Sequence, residues 1–294
     1  MRILVTGGAG FIGSNLVDAL ADNNEVTVVD NLHTGVVANV PKKAKFIEAD
    51  VKALSSPRFR GYAPDVIYHI GIYSSTPMYR DNRALVGEVV DGMISVMEFA
   101  KNVSARVVIA SSSSIYNGYN PPHCEDMVPL VTDYYTEARI AVERLAALYG
   151  QMYGVDAACL RFFSVYGHKE EHKKQYANLV SQFLWALRKK EAPVIYGDGS
   201  QTRDFTYVDD VVTALQKAVG RRGNYNVGTG MNYSVSGMLE KLCTALDVSI
   251  KPVYVANPLK NYVECTQADT TKSERELGFK ARYTLDEGIQ KLIN

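Results

Sequence analysis

The chain is poor in cysteine and has no long apolar run. Its 294 residues hold four cysteines, Cys124, Cys159, Cys243 and Cys265, spaced so widely that no CxxC pair forms. That spacing argues against a zinc site and a disulfide framework, and leaves buried free thiols as the expectation. No metal site is predicted. No apolar stretch reaches the length of a membrane span, and the chain opens into a strand without a charged leader and cleavage site. The reading is therefore a soluble cytoplasmic protein with no membrane partner. Charge of one sign is missing as well: Lys plus Arg and Asp plus Glu both number 32, giving a formal net charge of zero. With no basic block carrying interleaved aromatics, no nucleic-acid partner is expected. Internal repeats and low-complexity segments are absent. The length suits one or two domains around a large core.

What is present begins at once. The apolar strand Ile3-Leu4-Val5 runs into Thr6-Gly7-Gly8-Ala9-Gly10-Phe11-Ile12-Gly13, which satisfies both GxxGxxG and GxGxxG. Glycines there permit a tight turn, close approach of backbone to a pyrophosphate, and close packing of helix on strand. The phosphates of a dinucleotide would sit on the open amides of the helix that follows. A second apolar strand, Val26 to Val29, ends in Asp30, twenty residues after Gly10. A carboxylate at that place accepts from both ribose hydroxyls and repels a 2′-phosphate, so NAD is favoured over NADP.

Further strands are predicted at Lys45–Ala49, Val66–Ile70, Arg106–Ala110 and Ala157–Arg161, alternating with helical patterns at Val86–Asn102 and Thr136–Tyr153. The alternation gives an α/β fold with a doubly wound parallel sheet. Ile140, Leu145 and Leu148 mark the face with which the second helix should cover the sheet. From about Gly167 the texture changes, and His168 to Lys174 read either as a solvated charged loop or as a flap over a substrate.

Ligands in such sheets sit beyond the carboxyl ends of the strands, so the residues just after each strand matter most. Ser111-Ser112-Ser113-Ser114-Ile115-Tyr116 is one such place, either a polar turn or a chemical site. Tyr134-Tyr135-Thr136-Glu137-Ala138-Arg139 is another, with Tyr135 and Arg139 one helical turn apart. A phenol, with a reference pKa of about 10, acts as a base near neutrality only beside positive charge. Arg139 and an oxidised nicotinamide could supply it. The alternative is a surface tyrosine over an arginine stem.

Together these residues resemble the extended short-chain dehydrogenase/reductase family, and within it the UDP-glucose (UDP-galactose) 4-epimerases. The resemblance takes in Asp30-Asn31-Leu32, Asp50-Val51, Arg161 to Gly167, Tyr196 to Gly199, Arg203 to Asp210 and Ala268-Asp269 to Phe279. It implies a Rossmann-type NAD-binding domain over residues 1–166, with 203–228 returning to it. A smaller nucleotide-sugar-binding domain then lies mainly in 167–294. By the same resemblance Tyr135 is the catalytic tyrosine, and Ser112 bonds the reacting sugar hydroxyl. Arg139 stands for the family's lysine, Asp30 and Asn31 hold the adenosine ribose, and Asp50 with Val51 lines the adenine pocket. Asn178, with Leu179 beside it, and Arg203 face the UDP diphosphate. Tyr196 walls the uracil, and Thr266, three positions before Asp269, bounds the sugar 2-position. For Arg203 the alternative is a salt bridge to Asp204 or Asp209.

The implied reaction is NAD-dependent epimerisation at C4 of a UDP-hexose, including N-acetylated forms, in a homodimer formed through two helices of the first domain. Several positions depart from the family pattern: Arg139 for lysine, Ser164 for asparagine, the missing asparagine of the helix near Val89, Gly71-Ile72-Tyr73 for an alanine-rich turn, and Leu259-Lys260-Asn261-Tyr262 for an arginine-glycine-acid loop.

Overall fold

Residues 1–130, 132–257 and 262–294 are described by a computed structural model. In chain order the elements are β1 (Arg2–Thr6), α1 (Phe11–Leu20), β2 (Glu25–Asp30), β3 (Lys45–Glu48), β4 (Val66–His69), α2 (Thr76–Asp81), α3 (Leu85–Val103), β5 (Arg106–Ser112), α4 (Tyr134–Tyr153) and β6 (Ala157–Phe162). They continue with β7 (Val165–Tyr166), α5 (Leu179–Arg188), β8 (Val194–Tyr196), β9 (Thr202–Arg203), β10 (Thr206–Tyr207), α6 (Val208–Lys217) and β11 (Gly223–Val227). The last are β12 (Tyr233–Ser234), α7 (Val235–Leu246), β13 (Val253–Val255), α8 (Thr271–Leu277) and α9 (Leu285–Ile293).

Seven strands form the central sheet in the order β11-β6-β5-β4-β1-β2-β3, every pairing parallel. Strands buried on both faces read as continuous apolar runs rather than alternating ones, which is why Ile3-Leu4-Val5 and Val107-Val108-Ile109 stand out in the sequence. Residues of α3 and α4 pack on one face of the sheet, those of α1 and α6 on the other. A third cluster, built from α5, α7 and α9 with Ile195, reaches back to Phe11 at the start of α1. The chain leaves β1 toward β2 and crosses back to β4, so the strand order reverses between β1 and β4. Ligands bind at such a switch point. No helix among the described residues is long and apolar enough to cross a membrane.

Helix α4 starts two residues before the predicted Thr136, because the Asp133 side chain accepts from the Thr136 amide at 2.9 Å, and it stops at Gly154 with φ +72°. Its sheet-facing side also differs from the expectation. Tyr135, Ala138, Arg139, Val142, Glu143, Ala146 and Tyr149 are buried, whereas Ile140 and Leu145 are half-buried and Leu148 is 46% exposed. Polar partners explain the rotation. Glu143 accepts from Arg161 at 2.9 and 2.7 Å, from Ser111 at 2.6 Å and from Asn224 at 2.7 Å, so a carboxylate takes a place that apolar periodicity would give to leucine.

Candidate active site

At the carboxyl end of β1, Gly7 turns the chain with φ +72°, a conformation costly for any residue with a Cβ. A Cβ on Gly13 would lie 2.1 Å from the Gly7 carbonyl oxygen, so only glycine lets α1 start this close to the turn. The residue before α1, Gly10, offers no side-chain cap, and the first turn carries no acid. The first amides of α1 are thereby open to an anion.

Gly7, Gly10, Phe11, Ile12, Gly13, Asp30, Asn31, Asp50 and Val51 all line one cavity of about 140 Å³. The Asp30 carboxylate accepts from the amides of Ala9 at 3.0 Å and Leu32 at 2.8 Å, and burial raises its pKa from the usual carboxylate value. The Asn31 amide donates to Asp50 at 3.3 Å, and Asp50 accepts from the Lys52 amide at 2.9 Å. Val89 of α3, near which the resemblance expects an asparagine, lines the cavity beside Gly92. Beneath it, buried His69 places Nδ1 2.7 Å from Thr6 Oγ1, and burial pulls its pKa down to about 3. An open helix N-terminus at one end and a carboxylate at the end of β2 are the two features a dinucleotide requires. The residues present fit the group.

A second cavity, of about 770 Å³, lies against the first and shares Phe11, Ile12, Ile70, Ile72, Ser74 and Lys173 with it. Ser112, Tyr135, Arg139, Asn178, Arg203 and Thr266 line it. Ser112 ends β5 and its Oγ accepts from the Ser114 amide at 3.1 Å, which leaves its own O–H to donate elsewhere. Tyr135 packs edge-on against Tyr79 at 5.5 Å, and the Arg139 guanidinium lies 5.0 Å from the Tyr135 ring centre. Arg139 donates to the carbonyls of Ala110 at 2.9 Å and Tyr73 at 2.8 Å. Its charge is thus set beside the phenol while both terminal nitrogens hold backbone, and it lines this cavity and not the dinucleotide one. Tyr79 donates to the Tyr73 carbonyl at 3.1 Å, and burial pushes its phenol well above the ordinary value, so it packs as a neutral neighbour.

Arg203 makes no ion pair among the described residues. Asp204 accepts instead from Thr229, Gly230 and Ala268, and Asp209 pairs with Lys291. The guanidinium donates to the Thr202 carbonyl at 2.8 Å and lies 5.2 Å from the Tyr262 ring, and burial lowers its pKa from the ordinary arginine value. Among the described residues no carboxylate pairs with this cation, which lines the cavity. Thr266, buried, accepts from the Asp204 amide at 3.2 Å. Asn178 caps α5 by accepting from the Val180 amide at 3.0 Å, with Leu179 as the first helical residue.

Leu179 and Tyr196 line neither of these cavities; Tyr196 is 40% exposed on β8, where its carbonyl accepts from Gln201. Leu259, Lys260 and Asn261 lie outside the described residues. The run His168 to Lys174, read as a solvated loop or a substrate flap, is docked. The His168 carbonyl accepts from Asn15, Lys169 pairs with Asp18, and Glu170 is fully buried. Sequence reasoning missed Tyr79, Arg80 and Arg83 as cavity-lining residues, and no motif marks any of them; Lys173 also lines the cavity and lies in the run for which a substrate flap is one of the two readings.

Residues 3–228 match the NAD-dependent epimerase/dehydratase family. The chain belongs to that family. It is an extended short-chain dehydrogenase/reductase, an enzyme by kinship, and NAD is its cofactor. The UDP-glucose 4-epimerase of Mycolicibacterium smegmatis is 33% identical over 308 residues, covering 100% of this chain and 97% of the relative. Among solved structures, the UDP-glucose 4-epimerase of Thermotoga maritima with UDP-glucose superposes with a TM-score of 0.94 at 28% identity, covering 100% of this chain and 97% of that one. The Thermus thermophilus UDP-glucose 4-epimerase in complex with NAD gives 0.89 at 30% identity, covering 100% and 98%.

Proposed function

We propose that this family member interconverts the C4 epimers of a UDP-hexose, UDP-glucose and UDP-galactose or their N-acetylated counterparts, through a 4-keto sugar. The observation that carries the reading is the shared wall. Ser112 and Tyr135 line a cavity that shares a wall with the dinucleotide cavity, and Arg203 and Asn178 line the same space.

In this reading Tyr135 takes the proton of the sugar 4-hydroxyl, and Ser112 donates a hydrogen bond to the same oxygen. A bound NAD would supply the hydride acceptor and donor for C4, so net redox change would be zero. Arg139 supports the phenolate through its charge. Arg203 holds the diphosphate, for which its planar fork is suited, and Asn178 assists. Binding energy from the nucleotide positions a ring that must turn between its two reductions. Dehydration would need an acid and a base beside Ser112, where this chain has Ser113 and Ser114.

The four cysteines are unpaired, which suits the reducing cytoplasm. Ile94, Leu148 and Met152 expose apolar surface on the packed pair α3 and α4, which favours a homodimer through those helices.

The test is incubation with each of the four UDP-sugars followed by separation of products, beside Tyr135→Phe. Epimer formation is expected, with the variant about 10²- to 10⁴-fold slower at unchanged NAD content. Absence of epimers, release of a 4-keto-6-deoxy sugar, or an unaffected variant would each overturn the reading.

A further inference from the structure

The segment between β7 and α5 carries a cation whose place in the fold points to a ligand. Glu170, fully buried, accepts from the Asn178 amide at 2.8 Å, from Ser181 Oγ at 2.6 Å and from Lys173 Nζ at 3.0 Å. This fixes the segment to the start of α5 and fixes Lys173 to the segment. On the opposite side, Lys169 pairs with Asp18 of α1 and donates to the Asn39 carbonyl at 3.2 Å. Lys173 is thus held over the N-terminus of α1, with Nζ 5.3 Å from the ring centre of Phe11, the first helical residue. It lines both cavities. An ammonium has three N–H groups, and among the described residues Lys173 gives one hydrogen bond, to Glu170. Its carboxylate partner is shared with two other donors, and the open amides of α1 face the same space.

We propose that Lys173 is a ligand of the dinucleotide pyrophosphate, closing from above the anion site that the glycine turn and α1 form from below. The chemistry is charge-assisted: a phosphate oxygen placed between helix amides and an ammonium gains from both. An enzyme that returns its hydride to the same substrate gains from a cofactor held between turnovers, and a lysine brought in from outside the first βαβ unit supplies such retention. The inference rests on the NAD site and is independent of which sugar is turned over. A diphosphate could also come from the sugar nucleotide, because Lys173 lines that cavity too.

The experiment uses the purified NAD-loaded protein and three versions: wild type, Lys173→Gln and Lys173→Arg. Glutamine can still donate to Glu170 and so keeps the segment seated, but it lacks the charge. NAD dissociation after dilution and UDP affinity are measured for each, at low and high salt. Expected are about tenfold faster NAD release from Lys173→Gln, with a weaker salt dependence than wild type, near wild-type release from Lys173→Arg, and UDP affinity within twofold throughout. Unchanged NAD release overturns the proposal. A loss of UDP affinity with NAD release unaffected assigns Lys173 to the substrate diphosphate instead. Equal NAD losses in the Gln and Arg variants, with salt dependence intact, would mark the segment as a scaffold only.

Discussion

Ser111 Oγ donates to Glu143 Oε1 across 2.6 Å, joining the end of β5 to the third turn of α4. Ser112 is the next residue on the strand, and Tyr135 lies two turns earlier on the same face of the helix. One buried hydrogen bond therefore sets the register of the two groups to which we assign the reacting oxygen. Arg161 donates to both oxygens of Glu143 and to Tyr116 Oη at 2.7 Å, and Tyr116 in turn donates to Asn226 at 2.6 Å.

Glu143→Leu is expected to cost about 3–5 kcal/mol, because it leaves Arg161 buried without its anion. The double variant with Arg161→Met should lose less than the sum of the two single changes. Urea unfolding measures both. A single-variant loss under about 1 kcal/mol would show that water reaches Arg161.

Arg139→Lys separates two roles. A lysine cannot span both the Ala110 and Tyr73 carbonyls, so stability should fall by about 1–3 kcal/mol. The rate per folded enzyme should hold or rise, since the positive charge near Tyr135 remains and a compact ammonium can turn toward the cofactor ribose. Unfolding curves and initial rates on the same preparation check this. A slower enzyme of unchanged stability would refute it.

His69 gives a pH signature. Its folded pKa, about 3, lies below the ordinary histidine value of 6.5. As pH falls below about 6.5 the unfolded chain takes up a proton that the native state refuses. The His69 contribution is complete above pH 6.5 and is lost toward pH 3, by up to about 1.4 kcal/mol per unit. His69→Gln should flatten the stability profile between pH 6.5 and 5, where few carboxylates titrate. Parallel wild-type and variant profiles would show that His69 does not carry the dependence.

Thr266→Tyr should selectively remove turnover of N-acetylated UDP-hexosamines, by more than about tenfold relative to UDP-glucose and UDP-galactose, through a clash at the sugar 2-position. Thr266→Val, which loses only the hydrogen bond from Asp204, should leave the ratio unchanged. An unaltered ratio in the tyrosine variant would mean that the side chain does not face the sugar.

The sheet strands and the dinucleotide turn were legible because their signals are local: buried parallel strands are apolar throughout, and the glycines serve steric contacts within the first βαβ unit. The face of α4 was not, since Arg139 and Glu143 are buried by partners on β5, β6 and β11 and by the Tyr73 carbonyl, which no periodicity reveals. The run holding Lys173 had two readings, loop or flap, for a related reason. A lysine in a charged run looks solvated until the buried Glu170 beside it shows where the run docks. Tyr196 matched a motif and ends β8, where it lines neither cavity.

The strand beside β6 comes from residues 223–227, beyond most of the sugar-side segments in sequence. A chain ending after β6 would leave that strand as a bare edge, with its hydrogen-bonding groups open to any passing strand. It would also lack Asn224 and Asn226, two of the partners of the buried network. A carboxy-terminal half exchanged between relatives therefore brings a strand of the central sheet with it, and that strand has to pair with the host's β6. Its Asn224 and Asn226 have to meet the host's Glu143 and Tyr116 as well, so sugar-side segments are tied to the dinucleotide sheet by a strand pairing and two buried hydrogen bonds.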